Sequence, residues 1–230
     1  MLSNRLKQLA NYLKEPINFA DIGSDHAYLP CYVCQQHPTA KAIAGEINQG
    51  PFERARQTVL EYQLMDQVDV RKGNGLSVIE PGEVQQVTIA GMGGKLIRTI
   101  LEEGEAKLTG VHRLILQPNI DAQIVRRWLV KKQYKITAEE IIDEDGYIYE
   151  IIAADLAKEK QNLTEKELLF GPFLLKECNQ VFRQKWAHEK DKRLKLIEQM
   201  KQASQPPMDK INLLEKQLNW IEEVLTSDNG

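Results

Sequence analysis

Apolar runs alternate with amphipathic stretches over the first two thirds of the chain. Each run is bounded by Gly, Pro, Asn or Asp, which is typical of short buried strands. Between the runs, apolar residues recur every three or four positions, as on one face of a helix. This alternation indicates an α/β protein with a parallel sheet. The predicted strands span 18–22, 40–48, 68–72, 84–90 and 112–119, and the predicted helices include 1–15, a two-turn helix ending at Gln36, 51–62 and one through Leu101.

Two further extended runs, 135–144 and 147–155, are joined by Asp145-Gly146. Asp-Gly between runs of alternating apolar residues predicts a tight β-hairpin. A parallel sheet that ends in an antiparallel hairpin is the arrangement of the methyltransferase variant of the Rossmann-like fold. We therefore predict an α/β domain of this class over residues 1–157.

The pattern becomes helical throughout from Leu163 onward. A long helix is predicted over 173–203, and the segment 204–207 predicts a turn. The next apolar residues alternate steps of three and four, as in the seam of a coiled coil. Residues 158–230 are therefore predicted to form a coiled-coil-like helical hairpin, in a monomer or weak dimer. The residues predicted to face inward are Phe182, Trp186, Leu194 and Ile197 in the first helix, and Ile211, Leu214, Leu218, Ile221 and Leu225 in the second.

Composition indicates a globular protein without a membrane segment. The 230 residues are 42% hydrophobic and 27% charged, and the net charge is −3. We find no leader pattern and no apolar run near the ~18 residues that a membrane span requires, so we expect a cytoplasmic protein. Basic residues are nevertheless concentrated in 126–135 and 176–201, which predicts a surface for a polyanion, although solvated helix faces look the same.

Cys31 and Cys34 form a C-x-x-C pair, which zinc and redox sites also use. A zinc site needs four ligands, and the chain has no second pair. Redox motifs usually carry small residues or proline between the cysteines, whereas Tyr and Val lie between these. We therefore predict two buried helix residues and no metal site.

The most informative turn follows the first strand, where Asp21, Gly23 and Asp25 occur within five residues. Glycine permits a sharp turn and a close approach of a ligand to the backbone. A dinucleotide fingerprint would need two more glycines, and the carboxylate of Asp25 would repel a phosphate. Two carboxylates suit a cationic cofactor such as S-adenosylmethionine, although solvated acids on an ordinary turn remain an alternative.

Polar or glycine-rich residues also follow the other predicted strands. Glu46 lies 25 residues after Asp21, a spacing typical of a carboxylate that binds ribose hydroxyls. The alternative is that Glu46 is a surface acid at the end of a strand. Asn74 is placed to contact an adenine edge, or belongs to a plain Asn-Gly turn. The segment 91–94 holds three glycines, and Gln117 and Asn119 follow the fifth strand. Ligands bind at this carboxyl edge in open α/β sheets.

Five motifs in this order resemble the bacterial tRNA adenine-22 N1-methyltransferases, the TrmK type. The motifs are 21–30 (DIGSDHAYLP), 44–51 (AGEINQGP), 73–76 (GNGL), 90–94 (AGMGG) and 116–119 (LQPN). The resemblance implies S-adenosylmethionine as the methyl donor and N1 of an adenine in tRNA as the acceptor. It implies that the cofactor is bound by Asp21, Gly23, Glu46, Ile47, Asn74, Ala90, Gly91 and Met92.

The sequence departs from the general class I pattern at two places. Asp25 and Ala27 occupy the second and third glycine positions of the first motif, and 91–94 replaces the Asn-Pro-Pro-Tyr of amino-methylating relatives.

Neutral adenine N1 attacks the methyl group through an in-plane lone pair, so the orientation of the two reactants matters more than a catalytic base.

We expect the target adenine to leave its stack and to meet residues at this edge. The predicted catalytic residues are Asp25, His26 and Asn119, although His26 also suits a purely structural place in the turn. The residues predicted to contact the tRNA are Tyr28, Gln117, Arg126, Arg127 and Lys131, the last three on a basic helix face that also includes Lys132 and Lys135.

Two other functions fit parts of the sequence. A class I methyltransferase with another substrate would share all five motifs, and a non-catalytic RNA-binding module would need only the basic segments. The missing glycines argue against a nicotinamide oxidoreductase.

Overall fold

A computed structural model describes residues 2–226. Met1 of the predicted first helix, and residues 227–230 of the predicted second domain, lie outside the described residues. The chain divides into two compact units between Leu163 and Thr164. Each unit is described separately below.

The first unit is built on a seven-stranded sheet with the strand order β3-β2-β1-β4-β5-β7-β6. The first five strands run parallel, and β7 is antiparallel to both β5 and β6. The prediction of a parallel sheet that ends in an antiparallel hairpin is thus confirmed. The strands are β1 (Asn18–Ile22), β2 (Lys41–Glu46), β3 (Val68–Lys72), β4 (Gln86–Gly93), β5 (Arg113–Ile120), β6 (Tyr134–Glu144) and β7 (Tyr147–Leu156).

Five helices cover the two faces of this sheet. One apolar cluster packs α4 and α5 against the sheet, and a second packs α1, α2 and α3 against the other face. Buried, mostly apolar strands are expected when helices cover both faces. The helices are α1 (Asn4–Asn11), α2 (Tyr28–Gln36), α3 (Gln49–Glu61), α4 (Gly94–Glu103) and α5 (Ala122–Lys131).

Two of these helices differ from their predicted bounds. The first helix begins after Ser3, whose hydroxyl accepts a hydrogen bond from the N–H of Leu6, and it ends at Asn11 rather than near Pro16. The next carbonyl, that of Tyr12, accepts a hydrogen bond from Arg113. The third helix, predicted over 51–62, begins at Gln49 and ends at Glu61, and the side chain of Asn48 before it makes no capping bond.

The fourth and fifth strands end later than predicted. β4 continues through Gly91 and Met92 to Gly93, and β5 continues past Pro118. The pairing of the two strands is irregular between Ala90 and Gly93, and Pro118 lies opposite Met92 there. A proline that lacks an N–H is tolerated at such a bulge, so Pro118 does not end the strand.

The hairpin of β6 and β7 confirms the turn prediction. Asp145 and Gly146 have φ values of 54° and 78°. Two consecutive left-handed residues are what a type I′ turn requires, and this turn matches the twist of paired strands.

The second unit contains four helices, α6 (Glu165–Phe170), α7 (Pro172–Glu177), α8 (Gln180–Lys201) and α9 (Met208–Thr226). The predicted helix over 173–203 is wrong as a single element, because Cys178 is left-handed (φ 45°) and Asn179 caps a new helix by accepting from the N–H of Phe182. Leu194 is 42% exposed, so its predicted inward position is also wrong.

The α8 and α9 helices pack side by side and antiparallel. Lys190 pairs with Glu222 at 2.8 Å, and Lys201 pairs with Glu215 at 2.7 Å. A residue nearer the C-terminus of α8 pairs with a residue nearer the N-terminus of α9, so the two helices run in opposite directions. The aromatic rings of Phe170, Phe182 and Trp186 pack together within this unit, with centroids 4.4–6.1 Å apart.

Two negative findings concern the described part of the chain, residues 2–226. No helix there has the length and hydropathy to cross a membrane. No group of three or more His, Cys, Asp or Glu side chains there is arranged to hold a metal ion. Cys31 and Cys34 are buried free thiols, and burial raises their pKa values to about 12 and about 11.

Candidate active site

The turn after β1 is held by the neighbouring strand. The N–H groups of Gly23 and Ser24 both donate to the carbonyl of Gly45, at 2.9 and 3.1 Å. The Asp21 carboxylate is buried and accepts hydrogen bonds from the hydroxyls of Ser24 and Thr88, each at 2.6 Å. Burial nevertheless raises the pKa of Asp21, and the two hydroxyls oppose that shift. At this turn the Asp21 carboxylate is thus buried, and the glycine at position 23 leaves the backbone beside it without a side chain.

The next three residues adopt a left-handed backbone. Asp25, His26 and Ala27 have φ values of 46°, 69° and 59°. Each such non-glycine residue costs about 1–2 kcal/mol, and such strain concentrates at functional sites. The Asp25 carboxylate is exposed and lies 3.3 Å from His26 Nε2, whose ring lies 5.5 Å from that of Tyr28. Strain and polar side chains thus coincide at this loop.

Glu46 supplies a second buried carboxylate, at the end of β2. Burial raises its pKa, while the backbone N–H groups of Asp25 and His26 lower it. Its Oε1 atom has no hydrogen-bond partner within residues 2–226. A buried polar atom without a partner is costly, so this oxygen fits a ligand that donates a hydrogen bond to it.

The amides of Gln117 and Asn119 hold the glycine segment that follows Ala90. Gln117 Oε1 accepts from the N–H of Gly91 at 3.0 Å, and its Nε2 donates to Asn119 Oδ1 at 2.9 Å. Asn119 Nδ2 donates in turn to the carbonyl of Gly91 at 2.9 Å. Gln117 has no exposed surface, so the prediction that it contacts the substrate directly is wrong for this structure. It positions the loop instead.

A cleft of about 300 Å³ opens between these elements. Residues from the ends of β1, β4 and β5 line it together with residues from α1 and β7. The structure thereby brings together seven of the predicted site residues, namely Asp21, Gly23, Asp25, Ala90, Gly91, Met92 and Asn119.

Four lining residues were not predicted as site residues, namely Arg5, Leu6, Ser24 and Tyr149. The Arg5 guanidinium lies 5.1 Å from the Tyr149 ring centre and donates to Gln117 Oε1 at 2.5 Å. Glu144 fixes the start of α1 by accepting from the backbone N–H groups of Asn4 and Arg5. An acid at a helix N-terminus is favoured.

Comparison with known proteins decides the family. The model of the family described as "TrmK: tRNA (adenine(22)-N(1))-methyltransferase" matches residues 19–223. This chain belongs to the TrmK family. Its identification from the five sequence motifs is confirmed.

Relatives of TrmK type match along their whole length. A tRNA (adenine(22)-N(1))-methyltransferase from Bacillus subtilis is 46% identical, over 100% of this chain and 98% of that protein. The crystal structure of the B. subtilis m1A22 tRNA methyltransferase TrmK has a TM-score of 0.90 at 43% identity and covers 98% of this chain and 99% of its own. A Streptococcus pneumoniae protein solved in complex with S-adenosyl-L-methionine has a TM-score of 0.88 at 39% identity and covers 98% and 100%.

In this TrmK-family chain, the remaining predicted cofactor residues follow β2 and β3. The N–H of Gly73 donates to the carbonyl of Glu46 at 2.9 Å, which ties the two strand ends together. Ile47 and Asn74 are exposed beside them and, like Glu46, do not line the 300 Å³ cleft. The first five strand ends thus form one continuous edge, from Asn74 to Asn119.

The predicted basic helix face is partly wrong. Arg126 is buried, and its guanidinium pairs with Glu139 and Glu150 at 2.6 and 2.5 Å, so it cannot contact tRNA. Lys132 follows α5 as its C-cap, and Lys135 lies in β6. Arg127 and Lys131 are exposed on α5 as predicted.

Proposed function

We propose that this chain transfers the methyl group of S-adenosylmethionine to N1 of adenine 22 in tRNA. Membership of the TrmK family is the main evidence for the reaction and the cofactor. It confirms that this chain is a tRNA (adenine-N1)-methyltransferase. The full-length match to the B. subtilis enzyme argues against a class I methyltransferase with another substrate and against a non-catalytic RNA-binding module.

The carboxyl edge of the sheet fits S-adenosylmethionine in three respects. Gly23 has a φ of 70°, a left-handed conformation that favours glycine, and its missing side chain leaves the end of Met92 undisturbed beside the cleft. The unpartnered Glu46 Oε1 suits a ribose hydroxyl donor. The carboxylates of Asp21 and Asp25 complement a positively charged ligand. Ile47, Asn74, Ala90 and Gly91 lie on the same edge and complete the proposed cofactor site.

Catalysis by these residues is mainly a matter of position and charge. S-adenosylmethionine, when bound, supplies an electrophilic methyl group on a sulfonium. Adenine N1 has no proton to remove, so no side chain has to act as a base. The methylated ring is cationic, and the Asp25 carboxylate in the cleft stabilises that positive charge. Asn119 lines the cleft, and its bond to the carbonyl of Gly91 fixes its side chain. The adenine amine therefore contacts an amide whose position is already set.

The target base needs to leave its stack to enter this cleft. We assign His26 and Tyr28 to the wall beside Asp25, because their rings lie 5.5 Å apart next to the strained turn. Aromatic side chains are a common support for unstacked bases in RNA-binding proteins.

Exposed basic residues supply the contacts to tRNA phosphates in this proposal. In the first unit these are Arg127 and Lys131. In the second unit, several basic residues of the 176–201 segment are engaged by acids, for example Lys192 and Arg193 by Glu189. Its contribution is therefore weaker than the count of basic residues suggests. Binding to tRNA is expected to weaken with salt, and the enzyme is expected to work in the cytoplasm with its tRNA.

The decisive experiment is methylation of a defined tRNA. The purified protein is incubated with S-adenosylmethionine and with transcripts that carry adenine or guanine at position 22. Nuclease digestion and mass spectrometry then locate the methyl group. We expect 1-methyladenosine at position 22 in the first transcript and none in the second. Methylation of both transcripts at another position, or of neither, would contradict the proposal.

A further inference from the structure

A second cleft adjoins the proposed methyl-transfer cleft. It has a volume of about 470 Å³ and lies between α1, α2 and the end of α3. Arg5, Leu6 and Asp25 line both clefts. The two clefts are therefore neighbours that share these three side chains.

Three tyrosines give the second cleft its character. Tyr28 and Tyr32 lie on one face of α2, together with Cys31 and Gln35, because residues three, four and seven positions apart share a helix face. Tyr62 follows α3. Tyr28 is 46% exposed and Tyr62 is 49% exposed, so aromatic surface is accessible from solvent.

The chemistry of this lining matches a nucleobase. Aromatic side chains bind unstacked bases by stacking, and polar groups contact the base edges. Ser3 and Gln35 supply such polar groups. Arg5 lies at the junction of the two clefts, and a guanidinium has five N–H donors, of which the bond to Gln117 uses one. A guanidinium in this position suits the phosphate between two nucleotides, and its positive charge offsets the repulsion from the Asp25 carboxylate, which lines the same junction.

We propose that this tyrosine cleft, formed by Tyr28, Tyr32 and Tyr62, binds the nucleobase next to the target adenine in the tRNA. Arg5 then contacts the phosphate that links the two nucleotides. The inference rests on the proposed function, since it takes the neighbouring cleft as the place of the target adenine. It assigns this part of the molecule to recognition of the acceptor RNA, whereas Glu46 and Gly23 serve the cofactor.

Tyr62 offers the sharpest test because its side chain is exposed and its removal leaves the core intact. The KM for tRNA, kcat and the Kd for S-adenosylmethionine are measured for the wild type, Tyr62→Ala and Tyr62→Phe. Loss of base stacking predicts a rise in KM for tRNA of about 5- to 150-fold in Tyr62→Ala. Tyr62→Phe keeps the ring and is expected to stay near the wild type. The Kd for S-adenosylmethionine is expected to stay unchanged in both.

Tyr147→Ala is the matched control, because Tyr147 is 68% exposed and lines neither cleft. Tyr28→Ala removes a ring that borders both the tyrosine cleft and the wall beside Asp25, so it is expected to raise KM as Tyr62→Ala does and also to lower kcat. A second readout uses 2-aminopurine on either side of adenine 22. We expect its fluorescence to fall on binding to the wild type and to Tyr62→Phe, and to fall less with Tyr62→Ala.

The outcomes separate this inference from the proposed function. If the wild type methylates adenine 22 but Tyr62→Ala has the KM and the fluorescence response of the wild type, the tyrosine cleft does not hold a base. If Tyr147→Ala raises KM as much as Tyr62→Ala does, the effect is not specific to the cleft and the inference also fails. Failure of the wild type to methylate tRNA would instead reject the proposed function.

Discussion

Arg126 Nε donates to Glu139 Oε1 at 2.6 Å, although neither side chain has any exposure to solvent. Glu150 Oε2 accepts from the same guanidinium at 2.5 Å. The contact joins α5 to both strands of the terminal hairpin. The two carboxylates raise the pKa of Arg126 against the effect of burial, so the group stays charged. The buried guanidinium of Arg126 therefore holds the hairpin of β6 and β7, which carries Tyr149, against α5.

Removal of this cation is expected to destabilise the first unit. Arg126→Met leaves two carboxylates buried without their partner, which costs about 3–5 kcal/mol. Urea unfolding followed by circular dichroism measures the loss. Lys131→Met removes an exposed charge from the same helix and serves as the control, with an expected change within about 0.5 kcal/mol. Equal stability of the two variants would show that the buried pairs contribute nothing.

The position of Arg126 illustrates what the sequence can and cannot reveal. Ala122, Val125 and Leu129 are buried on α5, and residue 126 falls on the same face by helical spacing. The burial of Arg126 was therefore predictable from periodicity, but its partners were not. Glu139 and Glu150 lie on two strands that only the tertiary fold brings to the helix.

The strands were easier to predict than the details at their ends. Short segments with apolar residues between turn residues located β1 and β3 to the residue. The extension of β4 through 91–93 was missed because glycine has a low strand propensity, whereas pairing with β5 supplies the hydrogen bonds. The break between α7 and α8 was missed although Asn179 is a typical N-cap residue.

The site was predictable where local motifs carry it. Asp21, Gly23 and Ala90 were found because each lies at or just after the predicted carboxyl end of a buried strand. Arg5 and Tyr149 were not found, because their approach depends on the placement of α1 and on the insertion of β7 beside β5. Neither placement leaves a pattern within one segment of the sequence.

A residue at the end of α3 is expected to limit stability. Gln63 has a φ of 58° just after the helix, where glycine is preferred because it has no Cβ. Gln63→Gly is expected to raise the free energy of unfolding by about 0.5–1 kcal/mol. Gln57→Gly, inside the same helix, is the matched control and is expected to lower it by about 1 kcal/mol. Urea titrations measure both changes, and a loss of stability in Gln63→Gly would contradict the argument.

Asp21 is expected to make stability depend on pH. Burial raises its pKa above the ordinary 3.8, so the folded state holds this proton more tightly than the unfolded state does. The stability of the wild type therefore falls as pH rises from 3.8 through the raised pKa. Asp21→Asn lacks this titration. The unfolding free energy of Asp21→Asn minus that of the wild type should become more positive from pH about 4 to about 7. A difference that stays flat or falls with pH would contradict the raised pKa.

Gly23 is expected to be required by its backbone conformation as well as by its size. Its φ of 70° costs an alanine about 1–2 kcal/mol, and the new Cβ would also meet Met92 Cε, the end of a flexible side chain. Gly23→Ala should therefore unfold at lower urea and bind S-adenosylmethionine more weakly. Met92→Ala removes only the steric part, so Gly23→Ala in that background should keep a stability loss of about 1–2 kcal/mol.

The four proteins of this double-mutant cycle are compared by urea unfolding and by calorimetric titration with S-adenosylmethionine. Because Met92 itself lines the cleft, the effect of Gly23→Ala on affinity is read in both backgrounds rather than from the double variant alone. If Gly23→Ala has no effect once Met92 is alanine, the left-handed backbone imposes no requirement and the size of residue 23 alone explains the glycine. A persistent loss of both stability and affinity assigns the requirement to the turn itself, which holds the N–H groups of Gly23 and Ser24 against Gly45.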